Sequence, residues 1–515
     1  MFSKVNTFGI SGVRGFCISA EANITKGIPC FDVVGLGSEA VRESRKRVKA
    51  AIENQGYNFP LGRITLNLAP ADTKKQGTAL DLPIALSILS ASGAVHCEKS
   101  ENFGVIGELS LNGQVRGVRG VVPMIYLGIK ENVRRFIVPR ENLHEIAPDF
   151  YGDDVEIFPV STLREAAEAF CGKSKCFEFA MEEHDGEKVN VEADDEEVCD
   201  FGDIVGQNAA KRALEIAVSG NHNILLIGAV GCGKTLMAKA ARDIMVPLSK
   251  EEAFETSMIY SIAGIKRNGS FLTRPFRCVH SNVTRAALTG GGRPFELGEI
   301  SLAHNGILFI DEMSEISGYV TDSLRQPLEE KYARVNNCGL KEIVPANFML
   351  IGATNPCPCG NLYEAKGQCT CSPQLIKKFG GRLSAPVMDR IDIQIPVKRI
   401  QVSQLREKSN ETSVDIRKRV LKTREIQAER YKKERFNTNG ELTRNCISRY
   451  CPISASSKRI LERAVETMGI SFRGYEKVIK VARTIADMEA RENIEDEDVC
   501  EALQYRIFER RENAA

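Results

Sequence analysis

The run Ile224-Leu225-Leu226-Ile227 is apolar without alternation, the pattern of a strand buried on both faces. Ile307-Leu308-Phe309-Ile310 and Phe348-Met349-Leu350-Ile351-Gly352-Ala353-Thr354 read the same way. Helical spacing precedes the first strand over Ala209 to Val218 and follows it over Leu236 to Ile244. Strands alternating with helices predict a parallel sheet whose ligand sits at the carboxyl ends of the strands. The first third of the chain reads differently. Arg63 to Leu68 alternates as a half-buried strand, Arg135 to Pro139 is another strand, and Leu82 to Ser92 is an apolar helix. A further helix runs from near Ser38 and closes over Ala51 to Tyr57. This mixture predicts an α+β domain. From Ser413 onward the pattern is helical over Val414 to Phe436, Ser454 to Glu466, Arg473 to Ala490 and Asp496 to Phe508.

Glu182 to Asp200 holds ten acidic residues and one lysine with few apolar positions, so it reads as a solvated linker. The expected organisation is an N-terminal domain over 1–175, the linker over 176–200, a nucleotide-binding core over 201–400 and a helical lid over 401–515. A chain of 515 residues suits roughly three domains. Its 43% hydrophobic and 27% charged content is that of a soluble globular protein. No run of about 20 apolar residues predicts a membrane span, and the N-terminus lacks a secretory pattern, so a cytoplasmic location is expected. Sixteen cysteines are then expected as thiols or metal ligands. Net charge is only +1, so nucleic-acid affinity would have to come from local basic patches.

The chemistry concentrates at two strand ends. Gly228-Ala229-Val230-Gly231-Cys232-Gly233-Lys234-Thr235 fits the phosphate-loop pattern between a strand and a helix. Gly228, Gly231 and Gly233 let backbone N–H groups close around phosphates, Lys234 would neutralise their charge, and the Thr235 hydroxyl would hold Mg²⁺. Asp311 and Glu312 emerge at the end of the second strand. Asp311 is placed for the Mg²⁺ shell, and Glu312 to orient and deprotonate a water. ATP and Mg²⁺ are therefore the expected cofactors.

Cys357, Cys359, Cys369 and Cys371 form two C-x-C pairs nine residues apart, a set able to make a closed tetrahedral Zn²⁺ site. Thr289 to Gly298 is a glycine-rich loop with Arg293 and Phe295. Lys331 to Lys341 reads as a hairpin turning at Asn336-Asn337-Cys338-Gly339. Arg417 to Arg435 carries nine basic and three acidic residues, either a phosphate-binding face or the charged surface of a lid helix.

Further stretches carry a resemblance: Phe31-Asp32-Val33-Val34-Gly35-Leu36, Leu66-Asn67-Leu68-Ala69-Pro70-Ala71-Asp72, Gly298-Glu299-Ile300-Ser301-Leu302-Ala303-His304, Thr354-Asn355-Pro356-Cys357-Pro358-Cys359-Gly360 and Met388-Asp389-Arg390-Ile391-Asp392. Through them the chain resembles, almost end to end, the ComM/YifB family of magnesium-chelatase-like AAA+ ATPases. The resemblance implies a ring, on AAA+ precedent a hexamer. It implies a helicase that drives branch migration of DNA in recombination or natural transformation, working with recombination proteins. It makes Asn355 the sensor 1 residue, Arg390 the arginine finger acting in a neighbour's site and Arg473 the sensor 2 residue, with Arg483 as the alternative to Arg473. The 289–298 loop and the 331–341 hairpin would face a central pore and contact nucleic-acid phosphates. A chelatase-like motor remodelling a protein partner is the alternative. Ala229, Cys232 and Ser281 depart from the usual family residues, and His280 is expected as a structural residue.

Gly77 to Ser90 and Gly117 to Val138 resemble parts of the Lon-protease catalytic domain, with its ribosomal S5-like fold. The nucleophile region Gly77-Thr78-Ala79-Leu80-Asp81-Leu82-Pro83 has no serine, and Gly117-Val118-Arg119-Gly120-Val121 has no lysine. A serine nucleophile needs an adjacent base, so the domain is expected to lack protease activity.

Overall fold

A computed structural model describes residues 1–34, 39–70, 79–97, 100–147, 150–152, 154–174, 176, 199–267, 270–292, 295–337, 340–364, 369–399 and 411–506. Most of the expected linker, Gly77 and Thr78, Arg293 and the turn at Cys338-Gly339 lie outside them. The chain divides into two compact units, Met1–Ala193 with Ser249–Leu272, and Asp194–Leu248 with Thr273–Ala515.

The first unit is built on a mixed seven-stranded sheet. Its strands are β1 (Phe2–Ser11), β2 (Arg14–Thr25), β3 (Cys30–Val34), β4 (Arg63–Ala69), β5 (Phe103–Val105), β6 (Arg135–Pro139) and β7 (Glu156–Val160). They lie in the order β3-β4-β2-β1-β5-β6-β7. The pair β1–β2 and the pair β2–β4 are antiparallel, and the remaining pairs are parallel. Strand β4 alternates buried and half-buried positions along Ile64, Leu66 and Leu68, as its sequence pattern predicts. Helices α1 (Glu39–Asn54), α2 (Asp81–Ser92), α3 (Val121–Lys130) and α4 (Leu163–Phe170) complete it. Every residue of α2 from Asp81 to Leu89 is buried; the sequence is apolar except for Asp81, which pairs with Arg47, and Ser87, which donates to Ile84 O.

A helix far along the chain joins this unit. Lys250–Ala263 begins with a capping box of Ser249 and Glu252 and packs beside α3. The rings of Tyr126 and Phe254 meet edge to face at 4.9 Å. The backbone of Gly120 donates to the carbonyl of Ser261 at 2.8 Å.

The second unit holds the parallel sheet. Its strands are β8 (Ile224–Gly228), β9 (Phe276–Val279), β10 (Ile307–Ile310), β13 (Met349–Thr354) and β14 (Ile393–Val397), after a hairpin of β11 (Tyr332–Asn337) and β12 (Leu340–Pro345). The order is β9-β10-β13-β8-β14, parallel throughout. Ile224, Leu225, Leu226 and Ile227 are each 0% exposed, as expected of an interior strand of a parallel sheet covered on both faces. Helix α5 (Asn208–Gly220) leads into β8, and α6 (Lys234–Asp243) follows it. The longer C-terminal helices are α7 (Ser413–Arg430), α8 (Ala455–Met468), α9 (Phe472–Met488) and α10 (Asp496–Gln504), with a short helix at Arg444–Tyr450 between the first two.

Helix α7 stops at Arg430 instead of running to Phe436. Tyr431 turns inward, its hydroxyl donating to Asn439 at 2.6 Å and its ring meeting Tyr450 and Phe436. The hairpin β11–β12 extends past the expected Lys341 to Pro345. Among the described residues no helix is long and apolar enough to cross a membrane.

Candidate functional site: a phosphate loop between two acidic and polar strand ends

Strand order explains why distant residues meet. Strand β13 lies between β8 and β10, so its last residues stand between the phosphate loop and the carboxylates. Gly228 ends β8 where a Cβ would lie 2.2 Å from the carbonyl of Val397 and 2.8 Å from Cys232 Sγ. Only glycine fits there. Gly231 and Gly233 adopt φ of 79° and 89°, the left-handed region that glycine enters without strain. The loop thus opens the N-terminus of α6, where free N–H groups favour an anion.

Lys234 is buried and its ammonium donates to the carbonyls of Gly228 at 2.7 Å and Ala229 at 2.9 Å. It also donates to Asn355 Oδ1 at 3.3 Å. Burial lowers its pKa, a cost that an anion in the loop would relieve. The Thr235 hydroxyl donates to Asp311 Oδ2 at 3.2 Å. A hydroxyl and a carboxylate side by side are hard oxygen donors of the kind Mg²⁺ takes. Glu312 sits at φ 47°, strained for a side chain of its kind, at the end of the strand that delivers Asp311. Ser281 donates to its carboxylate at 3.4 Å. His280 is exposed, and its neighbour Ser281 is the residue that reaches the Glu312 carboxylate.

The arginines lie elsewhere. Arg390 donates to the carbonyls of Arg325 at 3.0 Å and Pro386 at 2.6 Å and pairs with Glu329. Arg473 reaches the same carboxylate at 3.5 Å. Neither is among the polar partners of Lys234, Thr235, Asp311 or Glu312. Arg483 is excluded as an alternative to Arg473. It is 1% exposed, its Nε donates to Asp487 at 3.0 Å, and its other nitrogens donate to the carbonyls of Glu492 and Arg491. A guanidinium that is 1% exposed and donates from all three nitrogens inside the helical region is not presented to a nucleotide.

Sequence reasoning missed what holds Arg390 in place. Asn223 donates through its side chain to the carbonyl of Arg390 at 3.1 Å, and its Oδ1 accepts from Leu350 N at 2.9 Å. Its own N–H donates to Asp392 at 2.9 Å. One side chain thus ties together the starts of β8, β13 and β14. Asp392 also pairs with Lys477, one helical turn beyond Arg473 on α9. No sequence pattern marks Asn223 or Glu329. Asp392 was visible only as part of the Met388–Asp392 motif.

The four cysteines converge. Their sulfurs all lie within 4.8 Å of one another, with 3.4 Å from Cys357 to Cys359, 3.8 Å from Cys357 to Cys369 and 3.7 Å from Cys359 to Cys369. Burial pushes the Cys357 thiol up to about 12, while backbone N–H groups of Asn361 and Thr370 pull Cys359 down to about 6.

Four of the nine basic residues in Arg417–Arg435 are held by partners within the fold, while Lys418, Lys422, Lys432, Lys433 and Arg435 are exposed. Arg417 donates to Asp243 O, Arg419 pairs with Glu215 and Glu411, Arg424 donates to Val218 O and Arg430 pairs with Asp487. The glycine-rich loop forms a short ladder of Gly290-Gly291 with Glu296-Leu297. This ladder lies against β11, where Gly291 approaches Val335. Arg334 projects from β11, stacked over Tyr332 at 5.5 Å. In the N-terminal unit, Asp81 of the expected nucleophile region is fully buried and paired with Arg47 at 2.8 Å.

The chain is similar to known proteins along almost its whole length. Three family models match: magnesium chelatase subunit ChlI over residues 200–405, subunit ChlI of Mg-chelatase over 20–142, and the magnesium chelatase subunit ChlI C-terminal region over 410–506. The chain is 38% identical over 502 residues to "Competence protein ComM" of Haemophilus influenzae, spanning 97% of this chain and 96% of that protein. It is 36% identical over 509 residues to "Uncharacterized protein YifB" of Salmonella typhimurium, spanning 98% and 97%. A stretch of 162 residues, 30% of this chain, is 28% identical to "Lon protease" of Leptospira interrogans and covers 19% of that protein.

Proposed function

The chain belongs to the ComM/YifB-type family of magnesium-chelatase-like AAA+ proteins, and from that membership we propose that it is an ATP-driven ring motor acting on DNA. The family and its chelatase-like core support an ATPase motor. The convergence of Lys234, Thr235, Asp311, Glu312 and Asn355 at adjacent strand ends is the observation that carries the reading.

In this reading Gly228, Gly231, Gly233 and Lys234 hold the phosphates of ATP. Thr235 and Asp311 hold Mg²⁺, which when bound neutralises charge developing on the phosphate oxygens. Glu312 accepts the proton of the attacking water, and Asn355 orients that water. The products are ADP and phosphate. Arg390 serves a neighbouring subunit, since it stands apart from its own chain's phosphate loop, and Arg473 acts with it from α9. A ring, probed first as a hexamer, follows from an arginine supplied in trans. Cys357, Cys359, Cys369 and Cys371 hold a structural Zn²⁺. The parts are a Lon-like domain over 1–175, to which Ser249–Leu272 adds a helix, a linker over 176–200, a motor core over the rest of 201–400 and a lid over 401–515, working in the cytoplasm.

The DNA assignment draws on the near full-length match to a competence protein and on the exposed Arg334 of a hairpin beside the glycine-rich ladder. Its work is branch migration in recombination or transformation, alongside recombination proteins. ATP turnover with and without single-stranded and branched DNA tests this, with Glu312→Gln as control. Stimulation by DNA that the control lacks supports a DNA motor. Turnover indifferent to every DNA overturns that part and leaves a chelatase-like motor remodelling a protein partner.

A further inference from the structure

The four-cysteine loop is not an isolated staple. It begins two residues after Asn355, whose side chain accepts from Lys234 at 3.3 Å. It then turns at Gly360, which sits at φ 78° with its N–H donated to the carbonyl of Cys357 at 2.9 Å. A Cβ at Gly360 would lie 3.6 Å from Ala229 Cα, 3.7 Å from Ala229 Cβ and 3.9 Å from Val230 N. The backbone between the second cysteine and Asn361 therefore rests on the phosphate loop itself. In a tetrahedral site with Zn–S of about 2.3 Å the sulfurs stand about 3.8 Å apart, close to the 3.4–3.8 Å that separates Cys357, Cys359 and Cys369, with Cys371 within 4.8 Å of all three.

We infer that the cysteine cluster is a zinc site coupled to the nucleotide site, so that metal on Cys357, Cys359, Cys369 and Cys371 and nucleotide on the phosphate loop each tighten the binding of the other. The inference rests on the proposed nucleotide reading. Zinc pins Cys357 and Cys359, which bracket the turn to Gly360, and releases thiol protons as it binds. The pinned turn supports the wall of the loop at Ala229 and fixes the strand end that presents Asn355 to Lys234. Linkage makes the effect reciprocal.

The full-length protein is purified without chelator and its zinc measured. Zinc transfer to a chelator that prefers Zn²⁺ over Mg²⁺ is then followed with and without Mg²⁺ and ATPγS, and nucleotide affinity is measured directly with and without zinc. About one zinc per chain is expected, with transfer slowed about 5–10-fold by nucleotide and affinity for ATPγS weaker by the same factor after zinc removal. Gly360→Ala keeps the four ligands and is expected to keep zinc while the coupling factor falls toward one. Cys371→Ser is expected to lose zinc. Protein that takes up no zinc even when Zn²⁺ is supplied overturns the inference. Zinc held and nucleotide bound with no mutual effect overturns the coupling alone. Zinc held with no nucleotide bound overturns the nucleotide-site reading and the coupling together.

Discussion

Lys234 opens helix α6, Asn355 follows the last residue of β13, and the two meet at 3.3 Å, ammonium to side-chain oxygen. The contact exists because β13 separates the phosphate-loop strand from the carboxylate strand. Two different functions for the two residues follow. Lys234→Ala should abolish binding of a fluorescent ATP analogue. Asn355→Ala should leave binding nearly intact and cut turnover by about 100-fold, since it removes one oriented polar contact at the reacting end. Equal loss of binding in both variants would sink the division of roles.

Arg390 and Arg473 share the Glu329 carboxylate away from their own phosphate loop. If Arg390 serves a neighbour, Arg390→Ala should lower turnover by about 1,000-fold with ATP affinity little changed. Mixing that variant with Lys234→Ala chains should restore part of the activity, because one supplies a nucleotide site and the other an arginine. Mixtures no more active than either variant alone would count against a shared site.

His222 sets an acid limit on stability. It is 0% exposed, its Nε2 meets Thr484 Oγ1 at 2.7 Å, and that hydroxyl also donates to Lys480 O. Nε2 therefore carries the proton, and Nδ1 is bare, 3.9 Å from Asp392. Burial pulls the pKa of His222 from 6.5 to about 4, against the attraction of Asp392 and with the help of Lys480, Lys477 and Arg424. Asp392, despite burial, is held at about 2 by Lys477 and His222. Both groups are depressed, so both contributions are complete above their unfolded values and are lost as pH falls. The histidine part goes between pH 6.5 and 4 and the aspartate part below it. Urea midpoints should show wild type losing about 2–3 kcal/mol over the first interval. His222→Gln, which has no charge to gain, should not show that loss. Lys477, lowered from 10.5 to about 8 by burial, acts with the same sign at higher pH, its contribution growing as pH rises from about 8 towards the unfolded lysine value.

Arg483→Ala should be a folding variant. It strips a guanidinium from Asp487, which is 1% exposed, although Arg430 and Asn439 still reach that carboxylate. Breaking a buried pair costs about 3–5 kcal/mol, so a lower melting temperature is expected, with ATP affinity unchanged in the folded fraction. Selective loss of nucleotide binding without loss of stability would contradict the burial argument.

The phosphate loop, the acidic strand end and the cysteine spacing were legible in the chain because each is local. A strand, a turn and a helix cap are made within a dozen residues by glycine conformation and apolar runs. The family resemblance added Asn355, Arg390 and Arg473 as candidates, though not their surroundings. Helix ends were less legible: α7 ends early because Tyr431 finds partners on later segments, which periodicity cannot see.

The sequence alone determined that a nucleotide-phosphate loop, two carboxylates and four thiols exist, since backbone conformation and ligand chemistry are properties of short stretches. Tertiary structure alone decided who meets whom. It inserted β13 between β8 and β10, gathered Arg390 and Arg473 on Glu329, buried Arg483, and laid Gly360 on Ala229. Those contacts join residues far apart in the chain, and they are selected by the packing of whole elements around shared cores, a global condition that no local pattern encodes.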